Sequence, residues 1–359
     1  MTIRHVSLFA RYSIGALSCL LFTSVFAQGV SRVEGSLTPG QTLTIIGTGF
    51  GSKPQAAPLY YWDFSSSTST SPLSRRAYTG KIRGALSNTV TASGSANALR
   101  SDVGGITEAV GPTDGIPFSS DRLYVWLKRY YGFNIATDRG PSGLNLKFFR
   151  IWHVWTHDIL MSYEGSQGVA SGRTYAEGTA ESATWWTMPH ESNKWLIEEW
   201  EYRNGDIGQT NGILNYSRNG RLAYPKTQRF LMRTSAHPEL YNTLFLDQVS
   251  NNTLSSGKYI YLDTLYVDDT WHRVVISDEP TWQSVVYNQG TERTREIQIP
   301  TSWSDTRITV VVRKGGLSSL SNSYLYVIGG DGNPVNTNGF PLSGMNEKVP
   351  SAPSGVTVR

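Results

Sequence analysis

Sixteen short segments rich in β-branched and aromatic residues run through this chain, punctuated by Gly, Asn, Asp and Ser. They span 41–47, 59–64, 122–131, 145–154, 158–164, 183–188, 194–203, 212–217, 221–224, 228–233, 243–249, 258–267, 271–277, 294–299, 307–313 and 323–328. No run beyond about ten residues carries clean 3.6-residue apolar spacing, so little helix is predicted. Asn219-Gly220 between two of the segments is a strong signal for a two-residue hairpin turn. Many short strands with turn residues between them imply antiparallel β-sandwiches and exclude a parallel α/β sheet.

Residues 1–27 read as a secretory signal peptide rather than as part of the fold. Arg4 and Arg11 supply a positive start, residues 14–26 are apolar, and Val25-Phe26-Ala27 offers a small-residue cleavage site. The apolar stretch is too short to span a membrane. A lipoprotein signal at Cys19 fits poorly with Ala16 and Leu17 before it. Cys19 is the only cysteine in 359 residues, so the mature chain has neither disulfide nor thiol nucleophile, as expected of a bacterial exported protein. The leader holds two Arg and no acid, which brings the net charge from +4 to +2. With no long basic run, nucleic-acid binding is not expected. The remaining length exceeds one ordinary core and points to two domains.

Ordered structure should be sparsest over 65–118, which is poor in large apolar residues and opens on Ser, Thr and Pro; one or two short strands are predicted there. Residues 344–359 read as an exposed tail. Their segment 349–358 resembles the opening of a fibronectin type III domain, with no domain following it.

Two stretches resemble known folds. Trp195-Leu196-Ile197-Glu198-Glu199-Trp200-Glu201-Tyr202-Arg203 leads into Asn211 to Ser217, Arg218 and the Asn219-Gly220 turn. With Gly257 to Val267 as a closing strand, this resembles the concanavalin A-like jelly roll shared by lectins, glucanases and several polysaccharide lyases. The segment 35–51, Gly35-Ser36-Leu37-Thr38-Pro39-Gly40 through Gly47-Thr48-Gly49-Phe50-Gly51, resembles the opening of an IPT/TIG domain, an immunoglobulin-like sandwich; 272–277, 296–300, 303–312 and 324–328 resemble its later strands. The predicted fold is therefore all-β: an antiparallel jelly-roll sandwich inserted in, or joined to, a smaller immunoglobulin-like sandwich. The expected boundaries are 28–57 for the first strands of the smaller domain, 58–270 for the jelly roll and 271–343 for its remaining strands. A single large sandwich with a C-terminal sheet extension is the alternative.

Any chemistry is expected on the concave jelly-roll sheet. Alternation puts Leu123, Val125 and Leu127 inward, and Tyr124, Trp126, Lys128 and Tyr130 outward. In 146–154 it puts Phe149 and Ile151 inward, leaving Phe148, Arg150 and Trp152 opposite. The jelly-roll resemblance implies that Glu199 and Glu201, joined by Asn215, lie on the concave face. Seven of the 11 Trp fall between 126 and 200. Aromatic planes cover the C–H faces of sugars, and Glu, Arg, Lys and Asn bind their hydroxyl edges. Trp126, Lys128, Tyr130, Arg150, Trp152, Glu199, Glu201 and Asn215 are accordingly the expected carbohydrate-binding set, sharing one open groove. The competing reading is that these aromatics are ordinary strand residues.

A polysaccharide or cell-surface glycan is thus the expected partner of a secreted, non-catalytic binding protein. The first alternative is a lyase acting on a uronate-containing glycan. Arg150, Lys128, Tyr130, His157 and Tyr216 would supply its cation and base, although His157 beside Asp158 also reads as a loop histidine. The Gln-x-His and Tyr-x-Lys-x-Gly-x-Tyr patterns of alginate lyases are missing. A hydrolase ranks lower: Glu199 and Glu201 are suitably spaced, but the Glu-x-Asp-x-x-Glu pattern of jelly-roll glucanases is absent. A structural or adhesive surface protein is the last alternative. No cofactor is expected; Asp263, Asp268 and Asp269 would be the ligands were Ca²⁺ bound, against the plainer reading of a solvated strand end. Asp331-Gly332-Asn333 reads as a turn, and phosphate-loop, dinucleotide and zinc motifs are absent.

Overall fold

The computed structural model describes residues 28–65, 73–103, 111–134, 137–138, 144–154, 157–165, 171–176, 184–187, 191–222, 229–249, 254, 257–287 and 295–345. The expected signal peptide and all but the first two residues of the expected tail lie outside these.

In chain order the strands begin with β1 (Gly29–Gly35) and β2 (Thr42–Thr48), then β3 (Tyr60–Asp63), β4 (Ile82–Arg83), β5 (Ala85–Ser87), β6 (Ala98–Asp102), β7 (Gly111–Pro112) and β8 (Ile116–Pro117). The longer β9 (Arg122–Tyr131), β10 (Leu144–Val154) and β11 (His157–Gly165) follow, with β12 (Ser171–Ala176) and β13 (Thr184–Thr187). Next come β14 (Trp195–Arg203), β15 (Thr210–Arg218), β16 (Arg221–Leu222), β17 (Phe230–Leu231), β18 (Thr243–Val249), β19 (Tyr259–Asp268) and β20 (Arg273–Ser277). A six-residue helix, α1 (Trp282–Tyr287), precedes β21 (Arg295–Trp303), β22 (Arg307–Val311), β23 (Tyr324–Ile328) and β24 (Phe340–Pro341). The molecule is all-β, with antiparallel pairing throughout. No described helix is long and apolar enough to cross a membrane.

The larger sandwich faces a nine-stranded sheet, in the order β16-β15-β14-β9-β19-β6-β5 with β3 and β17 at its margins, against a six-stranded sheet, β13-β12-β11-β10-β18-β8. Between them lie Leu123, Val125, Leu127, Leu196, Trp200, Tyr202 and Leu214 from one sheet and Leu146, Phe149, Ile151, Met161 and Leu246 from the other. Phe149, Trp200 and Tyr216 form a stack through this core. Phe148 is a correction to strict alternation. The β10–β11 register shifts between Lys147 and Phe149, and this bulge turns Phe148 inward beside Phe149.

The smaller unit takes strands from both ends of the chain, in the order β1-β2-β22-β21-β20-β23-β24. β21 pairs with β20 through residues 295–298 and with β22 through 299–303, its register shifting at Pro300. It thereby passes from one sheet to the other, around a core that includes Leu43, Ile45, Val274, Ile276, Ile308, Val310, Leu325 and Val327.

Two features differ from the sequence reading, and one matches it. β1 buries only Val33 and exposes Arg32 and Glu34, so its alternation is faint, as is usual for an edge strand. Among its described residues, segment 65–118 holds five short strands rather than one or two. The predicted turn is present, with Asn219 at φ 48° and Gly220 at φ 84°, the doubly positive pair of a type I′ hairpin.

Candidate functional site

The outward face of the nine-stranded sheet does not form one open groove. The smaller sandwich lies on it, and Tyr61, Tyr124, Trp126, Ile197, Ile213 and Tyr266 pack against Trp271, Ile297 and Ile299 in one apolar cluster. Trp271 Nε1 donates to the carbonyls of Leu123 and Tyr202, each at 3.1 Å. Ion pairs ring this seam: Lys128–Glu296 at 2.6 Å, Arg295–Glu199 at 2.5 Å, Arg273–Glu201 at 2.9 Å and Arg313–Asp63 at 2.7 Å. A buried ion pair returns little beyond the cost of desolvating its charges, whereas a fully buried large apolar side chain contributes about 1.5–3 kcal/mol. The aromatic contact therefore holds the sandwiches together, and the ion pairs set their register.

This arrangement divides the expected carbohydrate-binding set. Trp126 and Lys128 have the predicted outward parity but are sealed beneath the smaller sandwich, Lys128 against Glu296. Tyr130 stands at the far end of the same sheet, packed with Trp195 and Tyr261. Arg150 and Trp152 lie on the other sheet, facing away from the core, with the guanidinium 4.2 Å from the Trp152 ring and Phe245 alongside. Period-two alternation identifies the outward side of each strand but carries no information on what covers it, so the expected common groove is not formed.

Glu199, Glu201 and Asn215 do come together. They line a pocket of about 200 Å³ with Ser217, Arg273 and Trp282, where the β15–β16 hairpin meets α1 and residues 333–334. Register explains the grouping: Glu199 pairs with Ser217, and Glu201 with Asn215, on one face of β14 and β15. Asn219 fixes the neighbouring turn, its side-chain oxygen accepting from the Ile197 amide at 2.8 Å. Tyr124 Oη donates to Glu199 at 2.6 Å, and Ser217 Oγ donates to it at 3.3 Å. Asn215 Nδ2 and Arg273 each donate to a different oxygen of Glu201, at 3.0 and 2.9 Å. Burial pushes the Glu199 carboxyl up, but Arg295, Arg273 and the Tyr124 hydroxyl outweigh it and hold the group below its ordinary value. Glu199 is thus an acceptor at neutral pH with no proton to give. Trp282 supplies the pocket's aromatic plane and was missed from sequence, because a lone Trp on a six-residue helix has no periodic signal.

One buried charge cluster was also missed: Arg129 binds both Glu198 and Asp247 inside the larger sandwich, its Nη1 donating to Asp247 at 2.7 Å. Tyr216, expected to serve a lyase, lies in this core instead and its Oη donates to Glu198. The three aspartates considered for Ca²⁺ are not the solvated strand end of the plainer reading, since Asp263 and Asp268 are buried. Asp268 pairs with Lys53 at 2.5 Å and Arg75 at 3.0 Å, and Asp269 with Arg75 at 2.6 Å. No cluster of three acid, His or Cys side chains suited to a metal occurs among the described residues. The side chain of His157 lies outside the described residues.

No known protein family matches the chain, and no curated protein does. Several solved structures are similar in part. An endo-β-1,4-glucuronan lyase from Trichoderma reesei is 10% identical over 60% of this chain and 96% of its own, with a TM-score of 0.39. An alginate lyase from Aplysia kurodai is 12% identical over 59% of this chain and 99% of its own, at 0.37. A pentraxin from Limulus polyphemus is 12% identical over 56% and 88%, at 0.28.

Proposed function

We propose that this is a secreted polysaccharide-binding protein that holds a sugar ring in the pocket between β14, β15 and α1. The observation that carries the reading is that Trp282 shares this pocket of about 200 Å³ with Glu199, Glu201, Asn215 and Ser217. An aromatic plane beside oriented acceptors and amides suits a ring with one apolar face and a hydroxyl edge. Glu199, held ionised, accepts from hydroxyls. The smaller sandwich serves as an IPT/TIG-like module that contributes Arg273, Trp282 and Pro334 to the site.

The second reading is a polysaccharide lyase. Arg273 lines the pocket and offers the cation needed to neutralise a uronate. Glu201 already neutralises that guanidinium, so binding is the better-supported reading. A glycan-array screen of the mature protein, run beside an absorbance assay for unsaturated uronates, separates the two. Retention of a glycan without product supports binding, and product formation replaces it with the lyase reading. No glycan retained at millimolar concentration overturns both.

A further inference from the structure

A second concavity, of about 650 Å³, opens elsewhere along the seam, where β3 and β19 meet the loop 313–317. Its volume is in the range of sites that enclose whole ligands. β19 is bulged here: its register with β9 shifts between Leu262 and Leu265. Both leucines remain in the core, so Asp263 and Thr264 together occupy the stretch between two inward residues, and Asp263 lines the cleft. Bulges commonly re-aim a side chain beside an active site.

Two polar atoms at this cleft are buried without a hydrogen-bond partner. Asp263 is 1% exposed; Thr264 Oγ1 donates to its Oδ2 at 2.9 Å and the Ser95 side chain helps hold its carboxyl, while no hydrogen bond of good geometry reaches Oδ1. Tyr61, 3% exposed, has no partner for its hydroxyl. Unpaired buried polar groups are rare because each forfeits its hydration. Two lining one cleft point to a hydroxyl-bearing ligand that pairs them. Asp63, opposite Thr264 in the β3–β19 register, lines the same cleft. Its carboxylate accepts from Arg313 at 2.7 Å and from Ser65. Arg313 also reaches Thr264 Oγ1 at 3.4 Å, linking the two carboxyl groups through one guanidinium and one hydroxyl.

We propose that this cleft is a catalytic centre for hydrolysis of a glycosidic bond, with Asp263 as general acid, Asp63 as general base and Tyr61 positioning the sugar. Acetal cleavage needs two carboxyl groups in different protonation states and no nucleophilic thiol or serine triad. The surroundings supply the difference. Burial raises Asp263 above its ordinary value against the pull of Lys128, whereas at Asp63 burial is outweighed by Arg313 and Ser65, which hold it below. Environments that push two carboxyl groups apart in this way assign the acid and the base. In the reaction, Asp263 gives its proton to the glycosidic oxygen as that oxygen's bond to the anomeric carbon breaks. A solvent water bonds to the same carbon and passes a proton to Asp63. Two sugars with free hydroxyls leave, and solvent returns the proton from Asp63 to Asp263. This activity is independent of sugar binding beside Trp282.

The test is release of reducing ends from xylo-, cello-, laminari- and malto-oligosaccharides by the full mature protein. The wild type is expected to release them from at least one series. Asp263→Asn and Asp63→Asn should each lose about a hundredfold or more in rate, the ordinary contribution of acid–base catalysis. A dinitrophenyl glycoside of the cleaved sugar, whose leaving group needs no protonation, should restore most of the rate to Asp263→Asn and not to Asp63→Asn. Should Asp63→Asn loosen the seam by freeing Arg313, the leaving-group rescue of Asp263→Asn decides alone. No reducing ends from the wild type, an undiminished rate in Asp263→Asn, or no rescue would overturn the proposal.

Discussion

At the residue scale, the charges buried in this molecule act through their partners. Arg129 and Glu198 have inward parity on their strands, a placement that charge argues against; the sequence pattern could not show that Asp247, more than a hundred residues from Arg129, completes the set. Replacing Arg129 by Met leaves Asp247 without its cation and Glu198 with only the longer ion pair to Arg218 at 3.7 Å. It should cost about 3–5 kcal/mol in denaturant unfolding, the usual effect of breaking a buried pair. His272 behaves differently. It lies against Gly51 and Gly330, edge-on to Trp303 at 5.4 Å, and burial, with Lys53 and Arg122 nearby, lowers its pKa from 6.5 to about 4. The unfolded chain therefore binds the proton more readily between these values. The stability contributed by neutral His272 is complete above pH 6.5 and is lost as pH falls toward 4, on the order of 2 kcal/mol. Thermal melts from pH 7 to pH 4 should show this loss in the wild type and a shallower one in His272→Gln. Equal slopes would exclude His272 as its source.

At the element scale, alternation made the long strands legible. β9, β14 and β19 lie within one residue of their predicted spans because each carries one apolar side and one mixed side. Bulges were not legible. They break the period-two rule by a single residue, which is why Phe148 was assigned outward and why the place of Asp263 at the cleft had no signature. The link from β19 to β20 matters for a related reason. Trp271 there enters the seam and donates one indole N–H between two carbonyls of the larger sandwich. Trp271→Ala should cost about 3–5 kcal/mol, as for other buried Trp truncations, and Trp271→Phe less. Chemical denaturation of both variants measures this, and a near-neutral Trp271→Ala would mean that the seam contributes little.

At the scale of the whole molecule, one face of the larger sandwich is protein-covered. Fold class could be read from the chain because it follows from local pattern, and the grouping of Glu199, Glu201 and Asn215 because the jelly-roll resemblance put them on one face. The cover over Trp126 could not, since it is built by strands near both ends of the chain meeting across the intervening sandwich. Residues 58–270 expressed alone should expose Tyr61, Tyr124, Trp126 and Tyr266, bind a hydrophobic dye and aggregate. A soluble, dye-silent fragment would contradict the account of the seam. The central claim, that a sugar ring sits beside Trp282, is tested most directly by calorimetric titration of a retained oligosaccharide into the wild type and Trp282→Ala. Saturable binding that weakens roughly tenfold or more in the variant, a loss of about 1.4 kcal/mol, is the expected result. Equal affinity in the two proteins would contradict it.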